Sequence, residues 1–138
     1  MIVVDTNVIG YLYLTSEHSP HAEIALRQDN RWAAPILWRS ELRNVLALYL
    51  RRNLLSLKDS QQIMDEASSL MRGGEYQVAS HQVLSLVDAS TCSAYDCEFV
   101  TLARDLEVPL VTVDRQILDQ FPTVAVSLAT FAGAQRTG

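Results

Sequence analysis

Four acidic side chains carry the chemistry this sequence is able to do: Asp5, Glu41, Asp96 and Asp114. Asp5 directly follows the apolar run Ile2-Val3-Val4, and Asp114 directly follows Leu110-Val111-Thr112-Val113. Glu41 borders the apolar stripe formed by Trp38, Leu42 and Val45, and Asp96 stands beside Tyr95 at the start of a helical segment. Each has an ordinary structural use when taken singly. Asp5 and Asp114 suit helix N-caps, and Ser93-x-x-Asp96 fits a capping box. Glu41 suits a buried ion pair with Arg43 or Arg72. Gathered together, however, four carboxylates repel one another strongly, and a divalent cation is the simplest way to hold them. All-oxygen ligands favour Mg2+ or Mn2+ over zinc. Such a cation can activate water for attack on a phosphodiester and stabilise the leaving oxygen. Asn7 and Thr112, beside Asp5 and Asp114, are candidates to orient ligands or water.

The elements that must position these residues alternate between strand-like and helix-like segments. Ile2 to Val4 reads as a buried strand, with Asp5-Thr6-Asn7 as turn and cap before a helix over Val8 to Leu14. Ser19-Pro20 opens a second helix, to about Gln28, with proline in the first turn. Trp32 to Ala34 reads as a strand ended near Pro35, followed by a long helix from Leu37 to Arg52. Ser56 to Asp59 reads as a break, Ser60 to Met71 as a helix stopped by Gly73-Gly74, and Tyr76 to Val78 as a strand. His81 to Ala89 and Ala94 to Glu107 read as helices, the second with Tyr95, Phe99, Leu102, Ala103 and Leu106 on its apolar period. Leu110 to Val113 is a strand, Arg115 to Gln120 a short helix and Val124 to Val126 a last edge strand. Strands separated by helices imply a parallel sheet covered on both faces, whose ligands bind beyond the strands' carboxyl ends. Asp5 and Asp114 both lie at such an end.

The bulk properties fit this reading with one exception. A chain of 138 residues, 49% hydrophobic and 20% charged, has room for one globular domain. We place that domain at residues 1–132 and expect a flexible tail over 133–138. Cys92 and Cys97 have no second Cys/His pair at zinc-ligand spacing, and free thiols suit a reducing cytoplasm. No stretch approaches the roughly 18 apolar residues of a membrane span, and the opening Met-Ile-Val-Val-Asp has no signal-peptide character. The exception is the net charge of −5, which by itself argues against binding a phosphate backbone. A cluster of metal-binding carboxylates accounts for part of it.

The sequence resembles the PIN-domain nucleases, in particular VapC-type toxins of type II toxin–antitoxin pairs. The matching segments are Ile2-Val3-Val4-Asp5-Thr6-Asn7-Val8, Ser40-Glu41-Leu42-Arg43-Asn44-Val45, Ser93 through Ala103, and Pro109-Leu110-Val111-Thr112-Val113-Asp114. The resemblance implies an α/β fold, a three-layer α/β/α sandwich around a five-stranded parallel sheet. It implies Mg2+- or Mn2+-dependent endoribonuclease activity, with metal binding and catalysis on Asp5, Glu41, Asp96 and Asp114 and support from Thr112 and Asn7. It also implies a homodimer and a cognate antitoxin protein whose C-terminal segment fills the groove.

Other residues are read more plainly. Arg39, Arg43, Arg51 and Arg52 form either a basic stripe for RNA or a solvated helix face, with Arg43 set apart by its closeness to Glu41. Arg115, next to Asp114, is a second candidate for RNA contact. Trp32, Trp38 and Tyr49 fit a core or dimer interface better than base stacking. His18, His21 and His81 are scattered. Three alternatives stay open: a DNA nuclease on the same fold, a non-catalytic RNA- or protein-binding module, and a phosphotransferase using Asp5 as nucleophile. The last wants a second aspartate two residues on, where Asn7 stands.

Overall fold

The computed structural model describes residues 1–134. Short apolar runs form five parallel strands: β1 (Ile2–Val4), β2 (Trp32–Pro35), β3 (Glu75–Tyr76), β4 (Leu110–Thr112) and β5 (Ala125–Ser127). Their order in the sheet is β3-β2-β1-β4-β5. Val3, Val4, Ala33, Leu110 and Val111 in the central strands are fully buried, as expected where helices cover both faces of a parallel sheet. The helices are α1 (Thr6–Tyr11), α2 (Ser19–Gln28), α3 (Trp38–Arg51), α4 (Leu57–Leu70), α5 (Ser80–Asp88), α6 (Ala94–Leu106), α7 (Arg115–Gln120) and α8 (Leu128–Ala134). The result is the expected α/β/α sandwich. Trp32 and Trp38 are buried in its core.

Strand order fixes where a ligand can bind. From β1 the chain moves outward to β2 and β3, then returns to the other side of β1 to lay down β4 and β5. The crevice at the carboxyl ends of β1 and β4 is therefore the topological switch point. The register Val4↔Val111 sets Asp5 beside Thr112, and the Asp5 N–H donates to the Val111 carbonyl at 3.0 Å.

Several boundaries differ from the sequence reading, each for a local reason. Helix α1 starts at Thr6 rather than Val8 and ends at Tyr11, because the Asp5 carboxylate accepts from the Thr6 N–H. Helix α4 starts at Leu57 rather than Ser60: Ser56 caps it by accepting from the Asp59 N–H at 3.0 Å. Strand β3 is Glu75–Tyr76, starting one residue and ending two residues earlier than expected. Its entry depends on Gly74, where an added Cβ would lie 2.1 Å from the Trp32 carbonyl oxygen. Helix α8 was not expected. Its composition is small and alanine-rich, but Leu128 and Ala132 are buried, and Gln28 of α2 donates to the Ala132 carbonyl at 2.9 Å. Gly133 and Ala134, read as the start of a tail, belong to α8, and the rest of that tail lies outside the described residues.

Candidate active site

All four acids stand at helix N-termini on one edge of the sheet. Asp5 caps α1 and Asp114 caps α7, while Glu41 and Asp96 lie in the first turns of α3 and α6. A parallel α/β topology aligns helix starts at the strands' carboxyl ends, so partial positive charge and orphan N–H groups converge there. The four carboxylates line one open cleft of about 450 Å³, together with Thr6, Asn7, Ser40, Asn44 and Tyr95. Among the described residues no Lys or Arg lines it.

The ordinary structural roles are partly realised and do not use the acids up. Asp114 Oδ1 accepts from the Ile117 N–H at 3.1 Å, leaving Oδ2 without a partner among the described residues. The capping box at Ser93 is half made: the Ser93 hydroxyl accepts from the Asp96 N–H at 3.1 Å, and the Asp96 carboxylate, with only the neutral Ser93 hydroxyl as a neighbouring side-chain donor, has no salt-bridge partner among the described residues. The ion pair considered for Glu41 does not form with Arg43 or Arg72; the salt bridges among the described residues are Met1–Asp29, Glu17–His18 and Arg39–Glu75.

Two threonine hydroxyls fix the carboxylates of Asp5 and Glu41 instead. Buried Thr112 donates to Asp5 Oδ2 at 2.7 Å and accepts from the Asp114 N–H at 3.0 Å, so one hydroxyl ties both strand-end acids. Buried Thr6 donates to Glu41 Oε1 at 2.7 Å. Neutral donors aim a carboxylate without cancelling its charge. The charge balance shows this: burial pushes Asp5 up to about 6 against the pull of its bonds from Thr112 and Thr6, with Asp96 and Glu41 adding to the rise. Glu41 is raised by burial and by Asp96, and Asp96 by burial and by Asp114. Asp5 thus feels Glu41 and Asp96, Glu41 feels Asp96, and Asp96 feels the charge of Asp114.

This donor set fits a hard divalent cation: it is all oxygen, anionic, partly aimed by hydrogen bonds and without a lining counter-charge among the described residues. Among the described residues no three His, Cys, Asp or Glu side chains form a ready-made coordination shell. The cleft therefore presents four carboxylates without a closed coordination geometry.

The other expected site residues divide. Asn7 is exposed and lines the cleft. Arg43 does not line it; it lies along the groove between α3 and α4 with Leu46, Leu50 and Met64. Arg115 is exposed at the start of α7 and is not among the cleft's lining residues. Arg39 is committed to Glu75. Residues passed over in the sequence also belong here. Thr6 stands inside the first motif, and Asn44 lies three residues after Glu41, hence on the same helix face. Tyr95, read as part of the apolar stripe, is 62% exposed at the cleft. Glu98 lies outside the cleft lining, on a neighbouring cavity, and is raised by burial and by the charge of Glu41.

A family model described as PIN domain matches residues 2–123. A protein named Ribonuclease VapC3, from Pyrobaculum aerophilum, is 28% identical over 126 residues, covering 89% of this chain and 96% of that protein. Among solved structures, a crystal structure of a Pyrobaculum aerophilum protein has a TM-score of 0.77 at 17% identity, over 99% of this chain and 90% of that one. A toxin–antitoxin complex from Klebsiella pneumoniae has a TM-score of 0.69 at 14% identity, over 93% of this chain and 98% of that one. These two structural likenesses speak for the fold.

Proposed function

This chain belongs to the PIN-domain family, and we propose that it is a divalent-cation-dependent endoribonuclease that hydrolyses RNA phosphodiester bonds as the toxin of a toxin–antitoxin pair. The observation that carries the reading is the cleft of four carboxylates, two of them aimed by threonine hydroxyls, with no Lys or Arg among the described residues that line it. The choice of RNA is supported by the ribonuclease name of the relative that matches nearly the whole chain.

Asp5, Glu41, Asp96 and Asp114 would hold Mg2+ or Mn2+. When bound, the cation supplies Lewis acidity, which makes water a better nucleophile and neutralises charge on phosphate oxygens. The chain's own residues do the rest. Thr112 locks Asp5 through Oδ2 and spaces it from Asp114 through the Asp114 N–H. Thr6 holds one oxygen of Glu41, leaving the other to accept a hydrogen bond from the attacking water. The helix starts beneath the acids favour the negative charge that builds on the phosphate in the transition state. Asn7, Ser40 and Asn44 supply neutral hydrogen-bonding groups at the cleft.

The same reading includes two partners. A cognate antitoxin is supported by the complex from Klebsiella pneumoniae that shares the fold, and an arginine is the side chain best suited to enter an acidic cleft without a cation. A homodimer has an apolar surface available in Leu48, Leu54 and Leu57, exposed around the α3–α4 turn. Among the described residues no helix is long and apolar enough to cross a membrane.

The test incubates purified protein with a mixed RNA pool and a DNA control, with Mn2+ or Mg2+, with and without chelator, beside Asp96→Asn. RNA cleavage that needs the cation and disappears in the variant supports the reading. Cleavage of DNA alone moves the substrate to DNA. Inactivity on cellular RNA by protein free of copurified inhibitor leaves the binding-module alternative.

A further inference from the structure

Helix α6 separates the catalytic cleft from a second cavity. Tyr95 and Asp96 face the cleft; Ala94 and Glu98, one helical turn apart and so on a common face, line a cavity of about 520 Å³. The opposite wall is shared in the same way: Leu37 lines the cleft and Ile36 lines the cavity. Both openings therefore lie at the carboxyl ends of the strands, the second beyond β2 and β3.

The cavity's walls are those of a site for a flat, mostly apolar group with a polar edge. Ile36, Val78 and Leu84 supply aliphatic surface, Tyr76 a ring, and Gln77, Ser80 and Glu98 polar groups. Its volume and its few polar groups among apolar ones match small-ligand sites. Ile36 and Leu84 stay 50% and 60% exposed, so the chain does not fill the space itself. Glu98 is half-buried and has no hydrogen-bond or salt-bridge partner among the described residues.

We propose that this cavity takes an unstacked nucleobase of the RNA strand next to the scissile phosphodiester, and that Glu98 accepts hydrogen bonds from the base's Watson–Crick edge. This rests on the RNA-cleavage reading above. Single-stranded RNA is recognised by splaying bases out, stacking them on aromatic rings and bonding their edges. Tyr95, exposed on the helix between the two openings, supplies a ring for the neighbouring base. A carboxylate facing a phosphate backbone repels it, but facing a base it is an acceptor that selects for N–H donors. Guanine presents two adjacent donors, N1–H and the N2 amino group, and so bonds a carboxylate bidentately. Uracil presents one N–H flanked by carbonyl oxygens, which Glu98 repels.

The test uses an RNA that the wild-type protein cuts in Mn2+, remade with each of the four bases on either side of the cut. The expected result is a guanine preference at one flanking position. Glu98→Gln should lower the guanine-to-uracil ratio of kcat/KM roughly tenfold, the scale of one bidentate base contact, with guanine losing its paired acceptor and uracil, relieved of the carboxylate, cut faster than by wild type. Affinity of the Asp96→Asn background for the same RNAs, with and without Glu98→Gln, should follow the same order and is independent of turnover. An unchanged ratio in Glu98→Gln overturns the proposal. So does Leu84→Glu lowering the solution mass while leaving base preference intact, because a second copy then covers the cavity. No cation-dependent RNA cleavage by wild-type protein sinks the nuclease reading itself, and this inference with it.

Discussion

Glu75 and Glu41 are two half-buried glutamates near the β2–α3 junction, and they are held in opposite ways. Glu75 receives two bonds from the Arg39 guanidinium, the Nη2 one at 2.9 Å, and another from the Trp38 indole N–H at 2.8 Å. These bonds hold its carboxyl below the ordinary glutamate range. Glu41 receives one bond, from the neutral Thr6 hydroxyl, and sits above that range because of burial and Asp96. A structural acid is neutralised inside the chain; the cleft acids are oriented but left charged, which leaves them available to something from outside. The contrast also separates two kinds of mutational effect. Changes in the cleft should cost function and return stability, and changes at Glu75 should cost stability alone.

The largest expected effect is on activity. Asp96→Asn should lower RNA cleavage by more than about a hundredfold, beyond the usual cost of altering a supporting residue, while thermal stability of the cation-free protein stays level or rises. A clear loss of stability in that variant would place Asp96 in the same class as Glu75 and break the comparison. Thr112→Val comes next. It removes the hydroxyl that donates to Asp5 and accepts from the Asp114 N–H, so cation affinity should fall by roughly 10- to 100-fold. Titrating cleavage against Mn2+ measures this, and Thr112→Ser should restore it. Failure of serine to rescue would mean that the methyl group, not the hydroxyl, matters.

The sequence carried the fold and the four acids because both are written in local chemistry. Apolar β-branched runs ending in Asp5 and Asp114 mark strand ends whatever the tertiary detail, and helical periodicity found α3 and α6. What escaped depends on which way a helix turns. Arg43 and Asn44 are neighbours in sequence, yet Asn44 lines the cleft while Arg43 lies along the α3–α4 groove. Tyr95 matches the apolar period of α6 but occupies its exposed first turn. Thr6 was visible only as a turn residue, because its bond to Glu41 joins positions 35 residues apart. Helix α8 lacked a periodic signal, since alanine and glycine bury without marking a face.

A third prediction sharpens the comparison through pH. Asp5 rises from 3.8 to about 6 on folding, so the folded chain holds its proton more tightly than the unfolded one. Its contribution is complete below the unfolded value and is lost as pH rises through about 6. Melting curves of cation-free wild type and Asp5→Asn should therefore diverge between these limits, with the variant relatively more stable above them by at most roughly 3 kcal/mol. Mn2+ competes with the proton and should stabilise wild type most where the carboxylate is ionised. A wild-type-minus-variant difference that does not change with pH would mean that Asp5 keeps its ordinary acidity.

The smallest effect lies on the paired side and has the opposite sign. Arg39→Ala removes the counter-charge of Glu75, but the Arg39 side chain is 33% exposed, so solvent screens the pair and the loss near neutral pH should be about 1 kcal/mol. The Trp38 N–H still bonds the carboxylate, which limits the damage. Because Glu75 is lowered in the folded chain, its contribution is present above its ordinary value of 4.5 and disappears as pH falls through the lower folded one. The stability gap between wild type and Arg39→Ala should thus close on acidification. Cleavage by the variant should match wild type within about twofold, because the pair lies outside the cleft lining. A large loss of activity at full stability would instead assign Arg39 to substrate, and the division between neutralised and available acids would no longer follow the walls of the cleft.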